Sequence, residues 1–362
     1  MGEYYPYAAD LLYGSFIRYD RLYEMTMHAF YGQIKTNSVN VYIDVYSILK
    51  VLYTRGNSLQ IDDSCSIASC IINLAIHLRS YFETRHRVAS KIFIVYGGAR
   101  PTMAFEHYSG YNQKNIIMED SNEYLKNMIQ DNLELIKILV PYLYDIFYIE
   151  DKEQEFNVLI STLIDSMEDQ NQNPNIIYSK DPLSYQLVAF KRRTCLYRPK
   201  KKMDIDSSWV VVKSCLYDAY RYGELGIKTM INTKLDIHLF SIYQSIAGLR
   251  TRSLNSIING NNTMKLLETA VSNNIFSNGV TASAVLYSTN PFEEIFKGTR
   301  VDPSLVTARF LALDLNYQTT AYKITPMAKN ILVNVINLYN PHEVRAINDK
   351  YFQKYPLDLN RV

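Results

Sequence analysis

The stretch VNVYIDVY, residues 39–46, sets a carboxylate, Asp44, inside a run of strand-forming residues in which Val39, Val41, Ile43 and Val45 alternate. Alternation with period two and β-branched side chains read as a buried strand. Burying a carboxylate there is costly unless it is paired, hydrogen-bonded or bound to a metal. The simplest reading of Asp44 alone is a strand-end residue capping the next helix.

A second run of the same kind, SKIFIVYGG, spans residues 90–98, and between the two CSIASCIINLAIHLRSYFET (65–84) has apolar residues at helical spacing. Strand, helix, strand is a βαβ unit, which implies a parallel sheet covered on both faces. Farther along, SNEYLKNMIQDNLELIKILVPYLYDIF (121–147) and EQEFNVLISTLIDSM (153–167) read as helical, and NIIYS (175–179) as a third buried strand. SYQLVAF (184–190) and SWVVVKS (208–214) read as further extended segments. From about residue 218 helices dominate, in KLDIHLFSIYQSIAGL (234–249) and NTMKLLETAVSNN (262–274), and residues 296–340 mix both patterns. The expected organisation is a Tyr-rich N-terminal extension (1–38), an α/β domain (39–217), a helical region (218–300) and a C-terminal extension (301–362).

Composition narrows the function classes. The formal net charge is only +2 over 362 residues, without the basic excess of a protein that grips a duplex over many phosphates. Any nucleic-acid role must rest on a local patch, and KRRTCLYRPKKK (191–202) is the one dense basic run. Its Arg192, Arg193, Lys200 and Lys201 are candidate phosphate contacts. The competing reading is a solvated hairpin whose charges protect an edge strand. Cys65, Cys70, Cys195 and Cys215 make no CxxC pair, and His28, His77, His86, His107, His238 and His342 show no metal-binding spacing, so free thiols and structural histidines are expected. MGEYYPYAAD lacks the basic start and apolar run of a signal peptide. LELIKILVPYLYDIFYI (133–149) reads as an amphipathic helix too charged to cross a membrane, so no membrane association is expected. Of 31 tyrosines, seven precede residue 32, a density that suits either a partner-binding arm or a helix packed on its own domain.

Ligands bind at the carboxyl ends of strands in an open parallel sheet. Asp44 ends the first strand, Asp181 follows NIIYSK, and Glu155 opens the helix between them; three convergent carboxylates would suit Mg²⁺. Here the chain resembles the flap endonuclease and 5′→3′ exonuclease family, which is PIN-like. YIDVYSILKVLY (42–53) resembles the motif that in active members reads Asp-Gly-Ser-Ser after a hydrophobic strand, and IFIVYGGARPT (92–102) resembles the strand ending Phe-Asp-Gly. EFNVLISTLI (155–164) resembles the helix beginning Glu-Ala-Asp-Asp, and YSKDPLSYQLV (178–188) the motif Asp-Lys-Asp-Leu-Leu-Gln-Leu-Val. SIAGLRTRSLNSIINGNNTMKLLE (245–268) resembles the segment that runs Gly-Asp-x-x-Asp into a helix-hairpin-helix. These motifs keep family order over roughly two thirds of the chain. The implied architecture is an α/β, flap-nuclease-like parallel sheet with flanking helices, followed by a degenerate helix-hairpin-helix region and a mixed C-terminal extension.

The same alignment implies loss of chemistry. The family's two-metal mechanism needs a dense cluster of carboxylates to offset the cations. Only Asp44, Glu155 and Asp181 remain. Tyr96, Asn157, Val158 and Leu183 occupy other acidic positions, and Leu249 and Arg252 stand where the second metal's ligands belong. Arg252 beside a dication would oppose its binding. Glu150, Asp151 and Glu153 lie close enough to Glu155 that a shift of one helical turn would exchange the acid presented. The expected state is therefore a protein without catalysis and without a bound cofactor; if nuclease activity remained it would use Mg²⁺ held by Asp44 and Asp181. The leading expectation is a bacteriophage virion component, a ring or connector subunit of neck or tail, assembled in the bacterial host cytoplasm as a homo-oligomer with other virion proteins. The alternatives are a phage 5′ nuclease with a reduced metal site, and a DNA-binding accessory protein using residues 191–202.

Overall fold

The first strand, β1 (Ser38–Asp44), lies at the centre of a six-stranded sheet. In this computed structural model the described residues are 38–49, 64–168, 173–191, 193–198, 209–211, 239–276, 285, 290–323, 338–354 and 356–361. A long helix, α1 (Ser64–His86), leads to β2 (Ala89–Gly97), which pairs parallel with β1 so that Asp44 faces Val95. Helices α2 (Thr102–His107), α3 (Gln113–Asp120) and α4 (Glu123–Leu139) precede β3 (Ile146–Asp151), parallel to β2. Helix α5 (Phe156–Glu168) then crosses to β4 (Asn175–Tyr178), which pairs with the other edge of β1. After α6 (Ser184–Phe190) come β5 (Thr194–Arg198), parallel to β4, and the short antiparallel edge strand β6 (Trp209–Val211).

The strand order is β3-β2-β1-β4-β5-β6. The chain first winds outward from β1 toward β3 and then reverses through β4, so the junction of β1 and β4 is the topological switch point where such sheets place their sites. Both faces are covered. Val39, Val41 and Ile43 pack on α1 with Ile92, Ile94 and Ile146, whereas Tyr42 points the other way and stacks on Phe93 with ring centroids 5.0 Å apart. Period-two alternation thus holds in β1 although both of its faces are buried.

The second half is helical: α7 (Phe240–Ala247), α8 (Gly260–Ser272), α9 (Pro291–Ile295), α10 (Pro303–Leu313), α11 (Leu315–Lys323) and α12 (Pro341–Tyr351). Asn290, Asp302 and Asn340 cap α9, α10 and α12, each followed by a proline at the first helical position, where a missing N–H costs nothing. Phe292 of α9 meets Phe310 of α10 edge-on at 5.7 Å, inside a core that also holds Tyr42, Phe93 and Leu187. Gln186 of α6 adds hydrogen bonds to α10 and α11. Its amide donates to the Leu313 carbonyl at 2.9 Å and its oxygen accepts the Leu315 N–H at 3.0 Å.

Three expectations need correction. SYQLVAF is helix α6, not an extended segment; a run this short, with Tyr185, Leu187 and Val188 all buried, carries no periodicity that separates the two. The helix read through residues 133–149 ends at Leu139: Pro141 follows in a single 3-10 turn, Asp145 takes a left-handed φ of 51°, and residues 146–151 form β3. NIIYS is accordingly the fourth strand in chain order. The described part of the C-terminal extension is helical without a strand, while residues 324–337, the Tyr-rich segment 1–37 and the 217/218 boundary lie outside the described residues. Among the described residues no helix is long and apolar enough to cross a membrane.

A candidate acidic site at the carboxyl ends of the strands

β1, β2, β3 and β4 end on one edge of the sheet and deliver Asp44, Tyr96, Glu150–Asp151 and, just past β4, Ser179 and Asp181. Asp44 is 2% exposed. Its Oδ1 accepts the Ser47 N–H at 3.0 Å, capping the helical residues 45–49, and its Oδ2 accepts the Ser179 hydroxyl at 2.6 Å. Burial pushes this carboxyl up to about 6, against the pull of the Ser179 hydrogen bond. The Ser179 Oγ in turn accepts the Asp181 N–H at 3.0 Å, so one hydroxyl ties the end of β1 to the loop after β4.

Glu155 caps α5, its carbonyl accepting the N–H groups of Val158 and Leu159. Its Oε1 accepts the Tyr111 hydroxyl at 3.0 Å and the Arg252 Nε at 2.7 Å. Asp181 accepts the Leu183 N–H at 3.1 Å on Oδ1 and the Asn157 amide at 2.8 Å on Oδ2, where Arg252 Nη2 also donates. Asn157 is fixed from its other side by the Ser184 hydroxyl at 2.7 Å. One guanidinium, from a turn 71 and 97 residues farther along the chain, therefore spans two carboxylates, one at the start of α5 and one in the loop after β4. Burial alone would lower the Arg252 pKa, but Asp181 and Glu155 outweigh it and hold the group charged. Burial pushes the Glu155 carboxyl up, and Arg252 and the Tyr111 hydrogen bond oppose that push.

The turn that carries Arg252 is built for this placement. Leu249 and Leu254 pair as a short antiparallel bridge with N–H to carbonyl distances of 3.0 and 3.1 Å, closing the loop between them. Gly248 enters it with a φ of +85°, and a Cβ there would stand 2.6 Å from the Leu254 carbonyl oxygen. The same loop grips the start of α3: the Asn112 N–H donates to the Arg252 carbonyl at 2.8 Å and the Lys114 N–H to Ser253 Oγ at 2.7 Å. Arg252 thereby joins the sheet, α5 and the α2–α3 segment.

Phenols meet the other acids. Tyr322 of α11 donates to Asp151 Oδ2 at 2.8 Å, and Tyr148 to Glu150 Oε2 at 3.2 Å. Glu150 also receives Lys137 at 2.6 Å. Tyr96 is 5% exposed at the end of β2, its ring 6.2 Å from that of Tyr46; burial, together with the charges of Glu119 and Glu150, pushes its phenol far up. Glu155 enters the site, Glu150 and Asp151 are engaged from the strand, and Glu153 stays in the turn.

The structure brings Asp44, Glu155, Asp181, Asn157 and Arg252 together, with Asp44 one step removed behind Ser179. Val158, Leu183 and Leu249 are buried apolar residues of the adjoining core. Tyr111, Ser179, Ser184 and Tyr322 belong to the site and escaped the sequence reading; of these, Ser179 and Ser184 lay within a quoted motif, YSKDPLSYQLV. Of the basic run, Lys191 pairs with Asp165 at 2.6 Å and Arg193 sits in a left-handed turn, while Arg192, Lys200 and Lys201 lie outside the described residues. His77, His86 and His107 are in separate places, against Asp358, Tyr81 and Tyr317.

This architecture matches solved structures of a bacteriophage T5 nuclease. One is the T5 flap endonuclease as a pseudo-enzyme–product complex with DNA and metal ions, at 11% identity and a TM-score of 0.52, covering 87% of this chain and 100% of that one. Another is the T5 5′-exonuclease with bound zinc, at 10% identity and a TM-score of 0.54, covering 82% of this chain and 98% of that one. The chain has the flap-nuclease fold. No family model matches it, and no curated protein matches it by sequence.

Those flap-nuclease structures carry metal ions. Among the described residues no three of His, Cys, Asp and Glu converge to hold a metal. The space shared by Glu155 and Asp181 is filled by a guanidinium in contact with both, and a dication beside it would meet a like charge. With Arg252 in place the residues do not fit a divalent cation.

Proposed function

We propose that this flap-nuclease fold has no nuclease activity and serves as a structural subunit. The observation that carries the reading is Arg252 seated across Glu155 and Asp181, where phosphoryl-transfer chemistry would require metal ions. The phenols of Tyr322 and Tyr148 engage Asp151 and Glu150 in the same way, so the remaining acids hold the fold together.

Fold does not fix function, and the biological setting is an inference from context. The likeness to a bacteriophage nuclease, the long segments at both ends beyond the motif region, and exposed apolar side chains at Ile117, Tyr124, Tyr144, Leu338 and Tyr339 support an assembly role. We place the protein in a bacteriophage virion as a ring or connector subunit of neck or tail, assembled in the host cytoplasm from copies of itself and other virion proteins. The test is cleavage of a labelled 5′-flap substrate with Mg²⁺ and with Mn²⁺, wild type beside Asp44→Ala and Asp181→Ala, with sedimentation of the purified chain in parallel. Equal background in all three proteins and a defined oligomer are expected. Cleavage that disappears in both variants would make the protein a metal-dependent nuclease instead.

A further inference from the structure

We infer that the Arg252 guanidinium is the resident cation of this site, and that removing it turns the Glu155–Asp181 pair into a binding site for one divalent cation. The inference rests on the non-catalytic reading and extends it: the site keeps its appetite for positive charge and satisfies it from within the chain.

Two acids alone would not define such a site. What defines it is the cation already seated there. Nε lies 2.7 Å from Glu155 Oε1, and Nη2 contacts Asp181 Oδ2, so oxygens from α5 and from the loop after β4 face one common space. The groups around that space hold both carboxylates in position without neutralising them. Tyr111 donates to Glu155, Asn157 donates to Asp181 and is itself held by Ser184, and the Leu183 N–H fixes the other Asp181 oxygen. Asp44 stands behind Ser179 as a further negative group.

Truncating Arg252 would leave two buried carboxylates without a counter-charge, which is strongly unfavourable. A hard divalent ion meets that need with few protein ligands, since Mg²⁺ is commonly held by one or two carboxylates and keeps several waters. Intact Arg252 excludes the ion by charge and by occupancy.

The probe is Mn²⁺, followed by loss of its free-ion electron paramagnetic resonance signal, with circular dichroism to report folding. Wild type, Arg252→Ala, Arg252→Gln and the double variant Arg252→Ala with Asp181→Asn are titrated, and wild type is also assayed on flap DNA. One Mn²⁺ per chain in both single variants, at least tenfold tighter than in wild type and lost in the double variant, is expected. If the single variants are unfolded without metal, Mn²⁺ in the refolding buffer should restore the native spectrum. A folded single variant that binds Mn²⁺ no better than wild type, or an unfolded one that Mn²⁺ does not restore, overturns the inference and leaves the non-catalytic reading standing. Wild type that binds Mn²⁺ and cleaves DNA overturns that reading itself.

Discussion

Arg252 Nε and Glu155 Oε1 stand 2.7 Å apart, although 97 residues separate them in the chain. Each is about one-tenth exposed at its side chain, so their interaction is little screened by solvent. Breaking a buried pair by removing one partner leaves an uncompensated charge, whereas replacing the whole set by neutral groups can be nearly neutral. Arg252→Met should therefore lose about 3–5 kcal/mol of stability at neutral pH. Adding Glu155→Gln and Asp181→Asn to it should recover much of that loss. Urea unfolding of the single and triple variants measures the difference; a triple variant no more stable than Arg252→Met would show that packing, not charge, is what the arginine supplies.

Asp44 gives the fold a pH dependence of opposite sign to that of a salt-bridged carboxylate. Its folded value of about 6 lies above the unfolded 3.8, so the native state holds the proton more tightly than the unfolded chain does. Its contribution is fully present below the unfolded value and is lost as pH rises through that window toward 6 and beyond. At neutral pH the ionised, buried group costs up to about 3 kcal/mol, a ceiling set by the size of the shift. Asp44→Asn should therefore raise the melting temperature at pH 7.5 relative to wild type and show little gain at pH 4. An equal gain at both pH values would mean that the carboxylate is not strained by burial.

Much of this geometry was legible in the sequence, for local reasons. β1 and β2 announce themselves by β-branched alternation, and Asp44, Glu155 and Asp181 fall at the end of β1, the start of α5 and just past β4. β3 was hidden because the apolar pattern of α4 runs on past Leu139; Pro141 and the left-handed Asp145 are the breaks that separate them. Arg252 was recognisable as a charge hostile to metal, yet its place inside the acid pair depends on the closure of the Leu249–Leu254 turn. Tyr111 and Tyr322 could not be read at all. Their partners lie 44 and 171 residues away, and nothing in the local pattern marks one tyrosine among 31.

Tyr322 offers a test of how the C-terminal helices are fastened to the sheet. Its ring is buried in the core and its hydroxyl donates to Asp151 Oδ2 at 2.8 Å, joining α11 to the end of β3. Tyr322→Phe keeps the ring and removes only that donor, leaving a carboxylate oxygen buried without it. A loss of about 1–3 kcal/mol is expected, in the range for a buried acceptor deprived of its partner. Hydrogen exchange should show the added opening concentrated in α10 and α11. A variant as stable as wild type would mean that water replaces the phenol at no cost.

Gly97 tests the opposite junction, where β2 meets the start of α5. A Cβ on Gly97 would stand 2.2 Å from the backbone nitrogen of Phe156 and 2.6 Å from the carbonyl carbon of Glu155, and neither can move without shifting the helix. Displacing α5 would also draw Glu155 away from Arg252, coupling the clash to the acid site. Gly97→Ala should therefore cost about 3 kcal/mol or more, at the upper end of overpacking penalties. Gly298→Ala is the matched control: its φ of +77° carries backbone strain, but nothing lies within 4 Å of its added Cβ. That strain alone is worth about 1–2 kcal/mol. Denaturant midpoints of the two variants should separate clearly, with Gly97→Ala the less stable; a Gly97→Ala protein at least as stable as the control would mean that β2 and α5 are not packed backbone to backbone.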